Sequence, residues 1–554
     1  MIAYKFKIIS SLTKVFPGAE PEDDLKGIKL SCFLGETISL QCAYRAKSLY
    51  TGYGRLEVKG SLRNAVRIRE VKLMPSLLPC NGECDEHYLS KAPGLYPDLL
   101  RDISFEKIPF YPGQWQALWI DLEAEAGMEG SQDLTLQFYD EGNLLAGEVR
   151  TEIGIYPIHL KPQTCFHTEW FHCDCLADYY QAEPWSDRHW EIMRNFIALY
   201  VKRGMNMILT PAFTPPLDTA EGGERTTVQL VDVKVEGRNY RFSFEKLYTF
   251  FGMCMQCGVK YFEIAHLFTQ WGAKSAPKVM AEKNGELVRI FGWETDSQGL
   301  EYQEFLGQFL DALVVQLDEW NLRGRVFFHL SDEPEERDLE RYRKARESIA
   351  SHLNGYPIMD AVSRYAFYES KVVDKPVPAV DHLEPFLVHQ VPGLWTYYCG
   401  AQGKDVTNRF FAMPSGRTRI LGLQMYQYRL EGFLHWGFNF YNSQYSLSHI
   451  NPYQVTDAGA AFPSGDAFLV YPGEDGCPEE SIRLMVLSQA MQDIRAFNML
   501  EELTSREYVM DLITGIAEEP ITMVSYPYSS QFFEKLREIV NKEIADRKNS
   551  NGND

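Results

Sequence analysis

VFFHLSDEPEERDLERYRKARE, residues 326–347, runs from a short apolar strand into an acidic pair, then into a proline and a charged helix. A continuous apolar run of this length is the signature of a parallel strand covered on both faces. Its direct passage into a helix is one βα unit. Pro334 and the acidic residues suit a helix's first turn, where a fixed φ and negative charge are favoured. The run alone therefore reads more readily as a helix start than as a chemical site.

Working outward, seven further runs share the pattern: CFHTEWF (165–171), MNMILTPA (205–212), KYFEIAHL (260–267), YPIMDAV (356–362), AVDHLEPF (379–386), LWTYYC (394–399) and GFLHWGFNF (432–440). Amphipathic helices separate several of them. In Asp187–Arg203, Trp190, Met193, Phe196, Ile197 and Tyr200 fall on one face, with Ser186 as N-cap, Trp185 and Trp190 as a staple, and Gly204 as the stop. Phe305, Phe309, Leu313 and Leu317 form a similar stripe over 302–321. Eight strands alternating with helices predict a (β/α)8 TIM barrel over residues 161–510. An open doubly wound sheet is the competitor, weakened because no glycine-rich nucleotide fingerprint follows any strand. Pro215–Phe244 reads as a hairpin insertion after the second strand, and SIRLMVLSQAMQDIRAFNML (481–500) as a helix closing the barrel. A C-terminal extension, 511–554, ends in a polar helix and a frayed NSNGND tail.

Before the barrel, residues 1–160 carry short alternating segments: ISLQCAYRA, RLEVKGSL, QALWIDLEAE, LTLQFYD and EVRTEIGIYPIHL. Turns of Gly, Pro and Asn separate them, as in an antiparallel β-sandwich. Pro157–Gln163 reads as the linker. A chain of 554 residues has room for these two or three domains. Its net charge of −21 argues against nucleic acid or an anionic membrane as partner. No run is long enough to span a membrane. The N-terminus lacks the sustained apolar core of a signal peptide. Eleven scattered cysteines suit free thiols in a reducing compartment, so a cytoplasmic location is expected. The pairs Cys80/Cys84, Cys173/Cys175 and Cys254/Cys257 do not assemble a four-ligand set, so no metal and no cofactor are expected. The 31 Tyr, 33 Phe and 10 Trp favour sugar stacking slightly over core filling alone.

In such barrels the site lies at the C-terminal ends of the strands. These ends deliver Glu169, Trp170 and His172; His266 and Trp271; Asp332 and Glu333; Asp360; His382 and Glu384; Trp395, Tyr397 and Tyr398; and His435, Trp436, Asn439 and Tyr441. Carboxylates, histidines and aromatics suit a small oligosaccharide or glycoside better than a phosphate. Bland roles compete. Trp271 and Trp436 are sugar platforms or core, His266 and His435 hydroxyl binders or satisfied interior histidines. Glu169, Asp360 and Glu384 equally suit salt bridges, and Arg417 and Arg483 read as structural partners of carboxylates.

The ordered runs HLSDEPEERDLERY (329–342), LWTYYCG (394–400), RILGLQMYQYRLEGFLHWGFNFYN (419–442) and YPGEDGCPEESIRLMVLSQAMQDIRAFN (471–498) resemble glycoside hydrolase family 123. The resemblance implies a retaining β-N-acetylgalactosaminidase with Asp332 and Glu333 as its catalytic pair. Neighbours on one strand end are poorly placed to reach both faces of a sugar. They suit catalysis in which the substrate's 2-acetamido carbonyl is the nucleophile. Asp332 would accept the acetamido N–H and Glu333 would act as acid and base. Tyr397 or Tyr398 would hydrogen-bond the acetamido oxygen, one of them only, since strand neighbours point oppositely. Trp395 or Trp436 would wall its methyl group, and Asn439, His266, His435, Trp271 and Glu169 complete the expected binding set. Two alternatives stay open: a barrel glycosidase pairing Glu333 with Glu169, Asp360 or Glu384, and a non-catalytic carbohydrate-binding protein. A homo-oligomer remains compatible with the sequence.

Overall fold

In the computed structural model, residues 4–22, 24–46, 52–82 and 84–551 are described. The last three residues of the expected NSNGND tail lie outside them. The chain forms two compact units, one of residues 1–164, 403–428 and 479–554, the other of 165–402 and 429–478.

The first unit holds two five-stranded sheets. One runs Tyr4–Ser10, Thr37–Ala46, Trp115–Glu123, Val66–Ser76, Gly94–Asp102, and the other Leu30–Leu34, Leu145–His159, Gly130–Tyr139, Gly52–Lys59, Ile108–Phe110. Pairing is antiparallel except between Leu30–Leu34 and Leu145–His159. Alternation along each strand sends Leu40, Cys42, Leu118, Ile120, Leu136 and Phe138 into one shared core. The opposite residues of the first sheet, among them Ala43, Trp115, Ala117 and Trp119, pack against helices Gly416–Tyr428, Ile482–Leu503, Arg506–Ala517 and Ser530–Asn551. Strand Leu145–His159 takes in the start of the expected linker.

Residues 481–500, expected to close the barrel, belong to helix Ile482–Leu503, which groups with the first unit and packs with Gly416–Tyr428 against the sandwich. The packing is close because residue 422 is glycine: a Cβ there would stand 2.2 Å from the Ala490 carbonyl oxygen.

The second unit is built on short parallel strands, β1 Phe166–Glu169, β2 Met207–Thr210, β3 Tyr261–Ile264, β4 Val326–Phe328, β5 Met359–Ala361, β6 Lys375–Val377, β7 Trp395–Tyr397 and β8 Gly432–His435. Six form one sheet in the order β4-β3-β2-β1-β8-β7, and β5 pairs with β6. Single parallel bridges join Phe328 to Ile358 and Ala379 to Tyr397. One buried cluster, including Trp170, Met207, Leu209, Ala265, Phe327, Met359, Val377, Trp395, Tyr397 and Leu434, draws on all eight strands or the residues just past them. Seven strands match expectation, but the sixth is Lys375–Val377. The run 379–386 is instead a turn leading into helix Glu384–Val388, which Pro385 opens.

The helix after β1, Asp187–Lys202, is capped by the Ser186 side chain and buries Met193, Phe196, Ile197 and Tyr200. Trp185 and Trp190 meet at 5.1 Å, as the staple requires. The stripe on Leu300–Glu319 is buried likewise. The expected hairpin, Asp232–Glu236 with Asn239–Ser243, joins a second, Val279–Lys283 with Glu286–Phe291, in a four-stranded sheet. No helix among the described residues is long and apolar enough to cross a membrane.

Candidate active site

Beyond their strands, β3 and β4 continue side by side. The N–H groups of Leu267, Phe268 and Trp271 donate to the carbonyls of His329, Leu330 and Asp332 in turn. This ladder carries the acidic pair to the C-terminal edge of the sheet. The helix that follows does not begin at Pro334. A short turn, Glu336–Asp338, intervenes before Leu339–Ala350. The residues between are therefore committed to placing the pair rather than to starting a helix.

Glu333 sits at φ 40°, a left-handed conformation that is uncommon for a side chain of its size. The alternation of an extended strand is broken there. The Tyr397 hydroxyl donates to Glu333 Oε1 at 2.5 Å. Burial raises the pKa of Glu333, the bond from Tyr397 pulls it down, and the negative charge of Asp381 adds to the rise. Asp332 lies well above the ordinary carboxylate range, chiefly through burial and then through its neighbour Glu333. Two adjacent desolvated carboxylates resist carrying two charges, so the pair holds a proton more tightly than an exposed carboxylate does. The Asp332 carboxylate has no hydrogen-bond partner among the described residues. It is available to a ligand.

Behind the pair lies a chain that sequence inspection missed. His329 Nε2 is 2.8 Å from Glu263 Oε2, and Nδ1 is 3.1 Å from Asp360 Oδ1. Burial opposes charging of this imidazole, but Asp360 and Glu263 outweigh it and raise the pKa to about 9. Asp360 also accepts from Leu330 N, Ser331 N and the Tyr342 hydroxyl. Glu263 also accepts from Thr168 and from Trp170 Nε1. His329⁺ thus tempers the negative field around Asp332. Its two partners lie 66 and 31 residues away in sequence, so no local spacing marks it.

His266 stacks on His329 at 4.6 Å with planes 17° apart. Burial and His329 hold its pKa well down, and neither ring nitrogen has a partner among the described residues. Ligand-capable atoms of His266, His329 and Asp360 lie within 4.8 Å of one another. Near-parallel imidazoles cannot both point a lone pair at one ion, and both His329 nitrogens already face carboxylates. The cluster suits a charge relay better than a metal.

The remaining expected residues divide. Tyr397 faces the pair, whereas Tyr398 lies against Phe433 and His435, 4.8 and 5.3 Å away. Trp395 is in the apolar cluster, stacked 4.8 Å from Phe166. It is admitted by Gly432, where a Cβ would fall 2.2 Å from the indole. Trp436 is partly exposed, and its Nε1 donates to Asp466 at 3.0 Å. His435 lies between Asp466 and Glu169, 3.2 and 3.6 Å away. Glu169 and Asn439 are fully buried, and Asn439 exchanges hydrogen bonds with the His172 backbone. Trp271 is 48% exposed beside Asp332. Of the predicted set, the structure thus gathers Asp332, Glu333, Tyr397 and Trp271. His266 joins them through His329. Arg417 and Arg483 pair with Asp85 and Asp98 in the first unit, as structural partners.

Parallel strands here present a carboxylate pair with a tyrosine on one member, an arrangement suited to acid–base chemistry. Comparison with known proteins makes the class specific. The family described as "Glycoside hydrolase 123, catalytic domain" matches residues 170–500, so the chain belongs to glycoside hydrolase family 123 and is a glycosidase. In fold it is similar to a family 123 glycoside hydrolase from Clostridium perfringens, studied for glycolipid glycan hydrolysis. The TM-score is 0.74 at 14% identity, with 99% of each chain covered. A β-glucuronidase from Parabacteroides merdae, at 10% identity, aligns over 90% of this chain and 51% of its own with a TM-score of only 0.31. No curated protein matches the chain.

Proposed function

We propose that the chain is a retaining, exo-acting β-N-acetylgalactosaminidase whose nucleophile is the 2-acetamido group of its own substrate. The observation that carries this is the pair itself. Asp332 is unpartnered, while its neighbour Glu333 is turned by its left-handed backbone onto the Tyr397 hydroxyl. The eight strands, the cluster they share and the two single bridges favour a closed (β/α)8 barrel with this pair at its mouth.

In the first step Glu333, carrying the proton that the pair shares, gives it to the glycosidic oxygen. The acetamido carbonyl oxygen attacks C1 as that bond breaks, forming an oxazolinium ion. Asp332 accepts the acetamido N–H and balances the positive charge. In the second step Glu333, now a carboxylate, takes a proton from water as the water oxygen attacks C1 and the ring opens. Two inversions give net retention.

A protein nucleophile is disfavoured because its candidates are engaged or distant. Glu169 is buried between His167 and His435, Asp360 is saturated with donors, and Glu384 is exposed at the start of its helix. The test is hydrolysis of chromogenic β-GalNAc, β-GlcNAc and β-galactoside substrates by the wild type and by Glu333→Gln and Asp332→Asn. Turnover of β-GalNAc that both variants lose is expected. Cleavage of the plain galactoside alone would overturn the mechanism.

A further inference from the structure

The turn that carries the pair, residues 332–338, is held along one flank by the extension of β3. The Trp271 N–H donates to the Asp332 carbonyl at 2.9 Å. Just before the pair, the Ser331 hydroxyl donates to the Thr269 carbonyl at 2.9 Å and accepts the Ala273 N–H at 3.1 Å. The other flank faces β5, where the backbone stops helping. Among the described residues, pairing of β4 with β5 ends where the Phe328 N–H donates to the Pro357 carbonyl at 3.0 Å. Regular parallel pairing would continue from the Leu330 N–H, two residues on. Leu330 and Ser331 are fully buried, and a buried N–H left without an acceptor is costly.

One side chain takes the place of the missing carbonyls. Asp360, fully buried on β5, accepts the Leu330 N–H at 3.0 and 3.2 Å on its two oxygens and the Ser331 N–H at 3.3 Å. The same carboxylate meets His329 Nδ1 at 3.1 Å and accepts the Tyr342 hydroxyl. These partners lie on both sides of the pair. His329, Leu330 and Ser331 precede it, whereas Tyr342, also fully buried, sits on the helix that follows, Leu339–Ala350. One carboxylate thus ties both ends of the turn to β5.

Between those ends the backbone is unfavourable by itself. Glu333 lies at φ 40°, and such a conformation persists only where its surroundings enforce it. Asp98 and Asp493, buried in the first unit, face guanidinium groups instead. Asp360 spends its lone pairs on the chain that presents the pair.

We infer that Asp360 is the positioning residue of this site, holding the turn in the shape that presents Asp332 and Glu333 together. It acts on the reaction only through them. Its part in catalysis rests on the acetamido-glycosidase reading above, whereas the anchoring does not. The test joins hydrogen exchange, read by mass spectrometry across the whole chain, to steady-state kinetics on chromogenic β-GalNAc. Asp360→Asn keeps the size of the side chain but turns an NH2 group toward donors. Exchange over 329–342 should quicken about tenfold or more, while the first unit keeps wild-type rates. The kcat should fall about 10–100-fold with KM within about threefold of wild type, since misplaced groups lose rate more than binding. Tyr342→Phe releases only the helix end and should show both effects on a smaller scale, about threefold in kcat. Arg483→Met, which weakens the first unit, is the control and should keep wild-type kcat. Should Asp360→Asn fail to fold, Tyr342→Phe decides on the same two readouts. If no acetamido sugar is cleaved but exchange quickens around the turn alone, the mechanism falls and the anchor stands. Unchanged exchange over 329–342, a rise spread evenly over both units, or a loss of kcat no larger than the control's overturns the inference.

Discussion

In the first unit Asp98 meets the guanidinium of Arg483 at 2.8 and 2.9 Å, and Asp493 meets that of Arg419 at 2.9 and 3.2 Å. All four side chains are buried. At the end of β4, two carboxylates lie side by side with no arginine or lysine ion pair to either among the described residues. The comparison teaches what each region is for. A buried carboxylate opposite a guanidinium is settled, with a fixed charge and satisfied lone pairs. A half-buried carboxylate beside another carboxylate holds its proton more tightly than an exposed one does. The nearest balancing charge, on His329, is held one shell back by Glu263 and Asp360, so it moderates the pair without neutralising it.

Substitutions can break this contrast from either side. The largest effect is expected at Glu333→Gln, which removes the proposed acid and base. Its kcat/KM should fall about 10²–10⁴-fold with the fold retained, as steady-state kinetics and circular dichroism would check. In the first unit, Arg483→Met strands Asp98 in the interior and should lower unfolding free energy by about 3–5 kcal/mol in urea titrations. Tyr397→Phe comes next. Loss of the donor lets the Glu333 pKa rise further, so kcat should fall about tenfold while the alkaline limb of its pH profile moves upward.

The smallest effect has the opposite sign. A carboxyl group whose pKa is raised by folding binds its proton more tightly in the folded chain. It supports the fold below its unfolded value of about 4 and withdraws that support as pH rises through the raised value. Asp332→Asn carries no such liability. It should be more stable than the wild type at pH 8, by about 1 kcal/mol, with the gap closing toward pH 4 in thermal melts. A loss of stability at pH 8 would show that Asp332 is structural, like Asp98.

The strands carrying the chemistry were legible because they are apolar throughout and end in conspicuous residues. β6 was not: its three residues, Lys375–Val377, contain a proline that argues against a strand, while Ala379–Phe386 imitates one. The helices after β7 and β8 follow those strands in sequence, but nearly every residue of Gly416–Tyr428 is buried. No single apolar stripe declares which sheet such a helix covers. At the site, Asp332 and Glu333 stood out by adjacency. The choice between Tyr397 and Tyr398 needed strand direction, and His329 needed partners brought together only by the sheet. Trp395 and Trp271 look alike in sequence, yet Gly432 buries one and left-handed backbone exposes the other.

The central claim is that the substrate supplies the nucleophile to this pair. Its most direct test is the rate on β-GalNAc glycosides carrying acetyl, monofluoroacetyl, difluoroacetyl and trifluoroacetyl groups on the 2-nitrogen. Each fluorine withdraws electrons from the attacking carbonyl oxygen while leaving the glycosidic bond unchanged. If Asp332 and Glu333 work as described, kcat falls steeply and steadily along the series. A flat series would mean that the carbonyl takes no part in the rate-limiting step, and would contradict the account.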